Sequence, residues 1–147
     1  MQRELPEGYR ISDDLSLIDF VRVTQWLSGT YWTPGIGRAE VEKSARGSSL
    51  VMGVTAPGGE QAGYARLVSD KTRFAYVLDV FVGEKHRKKG LAGAMILFAK
   101  EHPDYRTVYQ WLLATRDAHE VYRKAGFGPL KYPDRWMEIN QGRPKNL

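Results

Sequence analysis

The sequence predicts an α+β domain: a mixed, mainly antiparallel twisted sheet with helices on both faces. Three observations carry that prediction. Ser49 to Thr55 and Gln61 to Ser69 are strand-like runs joined by Ala56-Pro57-Gly58-Gly59-Glu60, a turn that suits an antiparallel hairpin. Phe74 to Val82 is apolar on both faces: Phe74, Tyr76, Leu78, Val80 and Val82 on one, Ala75, Val77 and Phe81 on the other. A strand covered on both sides belongs in the middle of a sheet. From Phe74 onward the order is strand, helix, strand, which implies a right-handed crossover and a parallel pair.

The remaining elements follow in chain order. Tyr9 to Ser12 reads as a short first strand. Ser12 or Asp13 can cap a helix through about Leu27, with Leu17, Phe20, Val21 and Leu27 near helical spacing. Gly29 and Tyr31-Trp32-Thr33-Pro34-Gly35 break it, and a second helix runs from about Arg38 to Ala45. After the central strand, a helix spans about Gly90 to Lys100 and stops at His102-Pro103. Thr107 to Ala114 is a strand. Ala118 to Lys124 is a short helix that Asp117 and Glu120 begin as a near capping box and Gly126 ends. Trp136 to Ile139 supplies a last strand.

Composition narrows the chemistry. The 147 residues suffice for one domain, 1–147, and no repeat or linker divides them. No apolar run is long enough to span a bilayer and the N-terminus lacks an apolar signal core, so a cytoplasmic protein without a membrane partner is expected. The absence of cysteine removes disulfides, thiolate metal sites and any acyl-cysteine intermediate. His86, His102 and His119 are dispersed, so no metal site is expected. The net charge of +5 favours an anionic ligand, either a phosphorylated cofactor or a nucleic acid. Its densest block, Lys85-His86-Arg87-Lys88-Lys89, lies mid-chain.

That block joins the buried strand to an apolar helix whose start is Gly90. Helix starts carry unpaired N–H groups and the positive end of the macrodipole. A pyrophosphate there would meet aligned donors, and Gly90 lets oxygens approach the main chain without a Cβ in the way. Small Ala92 and Gly93 keep the first turn close. A free basic arm for nucleic acid is disfavoured by the buried strand and apolar helix on either side.

Arg87, Gly90 and Ala92 satisfy the Arg-x-x-Gly-x-Ala form of the pyrophosphate signature of the GNAT superfamily of N-acetyltransferases, and Tyr122-Arg123-Lys124-Ala125-Gly126-Phe127 matches that family's Tyr-x-x-x-Gly-Phe ending. Two separated blocks in the correct order resemble its small bacterial members. The resemblance implies a GNAT fold whose central parallel pair is splayed for coenzyme A, and acetyl-CoA as the acyl-donor cosubstrate. It also implies direct transfer to a primary amine of a small molecule or peptide, in a family where homodimers are common. The rival from another class is a non-catalytic acyl-CoA-binding regulatory or interaction module.

The resemblance also distributes roles. Val80, Phe81 and Val82 would meet the thioester end of the donor, through a bulge near the end of that strand, and Arg87, Lys88, Lys89, Gly90, Leu91 and Ala92 its phosphates. Tyr122 would be the general acid that protonates the leaving thiolate, its rival being a core aromatic. Asp79, the one charge in the central strand, would help remove the amine proton with Tyr76 in reserve, or would instead pair with a basic side chain such as Arg116. Tyr31 and Trp32 would wall the acceptor site, with Arg38 and Trp136 as further candidates. Many family members carry an Asn near Thr115; this chain does not.

Overall fold

The computed structural model describes residues 1–144. Within these residues six strands lie side by side in chain order: β1 Gln2–Glu4, β2 Arg10–Ser12, β3 Leu50–Thr55, β4 Gln61–Ser69, β5 Phe74–Val82 and β6 Gln110–Leu112. All neighbours are antiparallel except β5 and β6, which run parallel. Among the described residues four α-helices cover the sheet: α1 Phe20–Ser28, α2 Arg38–Arg46, α3 Leu91–Glu101 and α4 His119–Lys124.

Strand alternation builds two cores, one on each face. Leu50, Met52 and Val54 of β3 and Ala65 and Leu67 of β4 meet Leu91, Met95, Phe98 and Ala99 of α3, with Tyr122 of α4. On the other face, Val51 and Tyr64 meet Val23 and Leu27 of α1 and Val41 and Ala45 of α2. Each of those last two helices buries one i, i+4 pair, the stripe that a surface helix turns inward. Burial removes apolar area from water at about 25 cal/mol per Å² and is the main term holding the helices down. The hairpin forms as predicted, with Ala56 N–H donating to Glu60 O at 2.8 Å. So does the stop after α4, where Gly126 takes φ +100°.

Several boundaries differ from the sequence reading. The helix expected from Ser12 or Asp13 starts only at Phe20, capped by Asp19, whose carboxylate accepts from Arg22 N–H at 3.1 Å. Ser12 still belongs to β2, paired with Gly53, and Asp14 starts a separate 3-10 turn over Leu15–Leu17. The chain then stays extended so that Ile18 can fill the space over Gly53, where a Cβ would sit 2.7 Å from Ile18 Cδ1. Leu17 and Val21 are exposed as a result. Strand β1 carried no apolar signal and was not foreseen. The strand expected over Thr107–Ala114 contracts to Gln110–Leu112, because Leu113 onward leaves the sheet. Asp117 and Glu120 do not form a capping box: Thr115 Oγ1 accepts Ala118 N–H at 3.0 Å, and Glu120 pairs with Arg123. Trp136–Ile139 forms no strand and pairs with none among the described residues.

Candidate active site

The site is organised by one extra residue in β5. Arg66 pairs with Leu78 and Tyr64 with Phe81, so Ala65 faces both Asp79 and Val80. This is a β-bulge, and Asp79 takes φ +53° within it. An inserted residue exchanges the faces of everything beyond it. Val80 and Val82 therefore join Ala75 and Val77 against α3, while Phe81 turns to the α1 side and stacks on Trp26 at 5.2 Å. The face assignment read from simple alternation is corrected at that point.

The bulge also redirects the main chain. Before it, Arg73 O accepts from Gln110 N–H, so odd-numbered residues turn their peptide groups toward β6. Beyond it, Gly83 N–H bonds Ala62 O on the β4 side, and Val82 O accepts from Arg87 Nε at 3.1 Å on the other. Val80 and Val82 thus point their peptide groups toward the gap, and Phe81 points its own toward β4. The β5–β6 ladder ends at Tyr76 and Leu112, where the strands separate. A cleft of about 1400 Å³ opens there, lined by Tyr76 to Val82, Gly90 to Gly93 and Leu113 to Ala118, with Tyr31, Trp32 and Tyr122.

At one end of the cleft is the basic turn. Lys88 at φ +63° and Gly90 at φ +74° are both left-handed, which turns successive N–H groups into one concavity ahead of α3. Among the described residues, the N–H groups of Lys88 through Gly93 have no intramolecular acceptor, and Ala94 is the first to bond back, to Gly90 O at 3.0 Å. A Cβ at Gly90 or Gly93 would meet nothing within 4 Å, so the space over this turn is open. Arg87 and Lys88 line the cleft, whereas Lys89 is held by Glu7 at 3.2 Å away from it. Unpaired donors, open space and adjacent cations suit a pyrophosphate.

At the other end stand the polar and aromatic groups. Tyr122, 9% exposed, faces the cleft from α4, and burial, then the neighbouring Tyr31 and Asp117, push its phenol up to about 12. Asp79 does not pair with Arg116. Its Oδ2 accepts from Arg66 Nε at 2.6 Å and its Oδ1 from Trp32 Nε1 at 3.0 Å. Arg116 instead lies 3.9 Å over the Tyr31 ring, and its N–H donates to Tyr31 Oη at 2.8 Å. This contact ties the loop after α1 to the loop after β6. Arg38 pairs with Glu42 on α2, and neither it nor Trp136 lines the cleft. Tyr76 does. Arg66 was missed in the sequence, although a charge in the apolar run of β4 was signal enough.

Residues 45–129 match the acetyltransferase (GNAT) domain family. A GNAT-family protein from Xanthomonas campestris pv. campestris is 36% identical over 90% of this chain and 93% of its own, with a TM-score of 0.85.

The chain belongs to the GNAT acetyltransferase family.

It is therefore an acyltransferase, and its reaction class is acetyl transfer. The GNAT fold is shared more widely. A GNAT-family acetyltransferase from Streptococcus pneumoniae TIGR4 aligns with a TM-score of 0.67 at 20% identity, over 98% of this chain and 100% of its own. Glucosamine-6-phosphate N-acetyltransferase from Arabidopsis thaliana aligns with 0.61 at 17%, over 95% and 100%. Among curated proteins none matches. The GNAT family implies acetyl-CoA as donor, and the unpaired N–H groups and adjacent cations of the turn before α3 suit its pyrophosphate in charge.

Proposed function

We propose that this protein transfers an acetyl group from acetyl-CoA directly to a primary amine, in a single site without a covalent acyl-enzyme. The observation that carries the reading is the continuity of the cleft: one opening joins a cradle of unpaired N–H groups to a buried, protonated phenol. The N–H groups of Lys88 to Gly93 would hold the pyrophosphate, with Arg87 and Lys88 supplying charge. The donor supplies a thioester, whose carbonyl is the electrophile and whose sulfur is the leaving group. Val80 N–H, aimed into the gap by the bulge, would donate to the thioester oxygen as negative charge grows there.

Tyr122 is assigned the departing sulfur. A phenol near 12 is fully protonated at physiological pH. It is also a reluctant acid toward a thiolate whose thiol titrates near about 8.5. Its work is therefore hydrogen-bond donation to the sulfur, with the proton passing over as the phenol regains one from the acceptor nitrogen. Asp79 is assigned a positioning role, because both carboxylate oxygens are already engaged. It steadies Trp32 and the bulge that aims Val80. The amine then loses its first proton to water in the open cleft. Tyr31 and Trp32 are the proposed acceptor walls, a small amine or a peptide amine being the acceptor class.

Thiol release from acetyl-CoA in the presence of a panel of primary amines tests the reading. Amine-dependent release at one thiol per acetylated product is expected. Saturable binding of CoA with no release for any amine would instead fit the acyl-CoA-binding module, and no binding at all would overturn both.

A further inference from the structure

Each carboxylate that lines the cleft already faces an arginine. Asp79 accepts from Arg66 at 2.6 Å with one oxygen and from Trp32 at 3.0 Å with the other. Asp117 lies 3.8 Å from Arg116, and Glu120 pairs with Arg123. Among the described residues no further Asp or Glu lines the cleft. The other polar groups at the acceptor end are phenols or cations. Tyr122 is protonated, Tyr31 Oη accepts from Arg116 N–H at 2.8 Å, and Tyr76 is a third phenol. Arg116 and Lys124 carry positive charge on this side, as Arg87 and Lys88 do on the other. His86 stands with the donor turn, its Nδ1 2.8 Å from Tyr9 Oη and its Nε2 3.5 Å from Glu60. An aromatic face can also hold an ammonium, but Arg116 already covers the Tyr31 ring at 3.9 Å.

This pattern bears on the form in which the acceptor reacts, and the inference rests on the acetyl-transfer reading above. In that transfer the nitrogen lone pair forms a bond to the thioester carbonyl carbon, and the C–S bond breaks with its electron pair on sulfur. A neutral primary amine brings two N-bound hydrogens. One stays in the amide, and the other restores the Tyr122 phenol, whose own proton has gone to sulfur. Amide and thiol are then the complete products. An ammonium brings a third proton that has to leave before attack, and no side chain at the acceptor end is free to take it. Neither does the cleft offer an unpaired anion to hold an ammonium, while its cations disfavour one. We propose that the site selects its acceptor by basicity, taking weakly basic primary amines, such as an α-amine beside a carbonyl group, in preference to alkyl amines such as a lysine side chain. At about pH 7.5 roughly a third of an α-amine is neutral, against roughly one part in a thousand of a lysine amine. The pH dependence of the reaction therefore belongs to the acceptor and not to a side chain of the protein.

Phenylalaninamide and phenethylamine test this, since they share the ring and its spacing from nitrogen and differ by the carboxamide that makes the first an α-amine. Thiol release at saturating acetyl-CoA gives kcat/KM for each between about pH 6 and 9.5. The profile for phenylalaninamide is expected to level off near about pH 8, and that for phenethylamine to be still climbing about tenfold per pH unit at the upper limit. At about pH 7.5 the first should be favoured on the order of a hundredfold. One midpoint shared by both amines would mark a group of the protein as the base, and it overturns the proposal, as does equal use of the two amines near neutrality. Either result leaves acetyl transfer standing. Should neither amine fit the site, the same profiles are measured on whichever amines of the panel turn over. Midpoints that follow the basicity of each amine support the proposal, and a common midpoint overturns it. Saturable binding of CoA with no release for any amine removes acetyl transfer itself, and this inference with it.

Discussion

Tyr122 and Asp79 illustrate how two residues singled out for charge and position acquire different tasks once their neighbours are known. Tyr122 is buried, protonated and open to the cleft, so Tyr122→Phe is expected to lower kcat about a hundredfold, within the usual range for a positioned acid–base group. The KM for acetyl-CoA should hold in that variant; steady-state kinetics with the donor varied at a fixed amine checks both. Asp79 is bonded on both oxygens, and its side chain and that of Arg66 are 6% and 16% exposed. Removing one partner of a buried pair costs about 3–5 kcal/mol, since the other charge stays behind unpaired. Asp79→Asn keeps one acceptor, so a loss of about 3 kcal/mol is expected, read as a lower denaturant midpoint at constant slope. A pH–rate profile that loses its rising limb in this variant would restore Asp79 as the base. In the sequence, Asp79 was conspicuous because a charge in a two-faced apolar strand needs an explanation. Which cation answers it was not legible, because Arg66 lies on a neighbouring strand and only the register brings them together.

The strand–turn–helix unit from Phe74 to Glu101 carries the proposed donor site, and its two halves differ in how openly the sequence displayed them. Arg87, Gly90 and Ala92 were readable as a motif, since a left-handed glycine and a helix start are local events. Gly90→Val should both strain that turn and push methyl groups into the cradle. A KM for acetyl-CoA raised about tenfold or more, with kcat at saturating donor little changed, is the expected signature of lost ground-state binding. Initial rates over a range of donor concentrations will distinguish this from a general loss of activity. The bulge, by contrast, left no mark on the sequence that alternation could detect. Phe74 to Val82 looks like nine regular strand residues, and only the pairing with β4 reveals that Asp79 is supernumerary. Its effect is large for one residue: it sends Phe81 to Trp26 and turns Val80 toward the gap. The tail strand expected at Trp136–Ile139 failed for a related reason, as a strand needs a neighbour and this segment pairs with none among the described residues.

At the scale of the whole molecule, ligand and pH act through linkage. A donor that binds only the folded state stabilises it by about 2.7 kcal/mol at a hundred times its Kd. For a domain of this size that corresponds to a rise in Tm of about 5–10 °C, measurable by thermal shift with CoA. Burial raises the phenols of Tyr64, Tyr105 and Tyr122 above their ordinary value. Unfolded, each ionises near about 10. Above that pH the unfolded chain has shed protons that the fold retains, so stability falls as pH climbs from 10 toward the folded values. Thermal melts should decline beyond pH 10, and less steeply in Tyr122→Phe. By itself the sequence determined the α+β class, the hairpin, the central strand, the basic turn ahead of α3 and the short helix of Tyr122, because hydrophobic period, turn chemistry and helix starts are encoded within a few neighbouring residues. The tertiary structure alone decided the position of the bulge at Asp79, the Arg66–Asp79–Trp32 network, the Tyr31–Arg116 contact and the unpaired tail. Each of those depends on strand register or on contacts between segments far apart in the chain, and no local pattern specifies them.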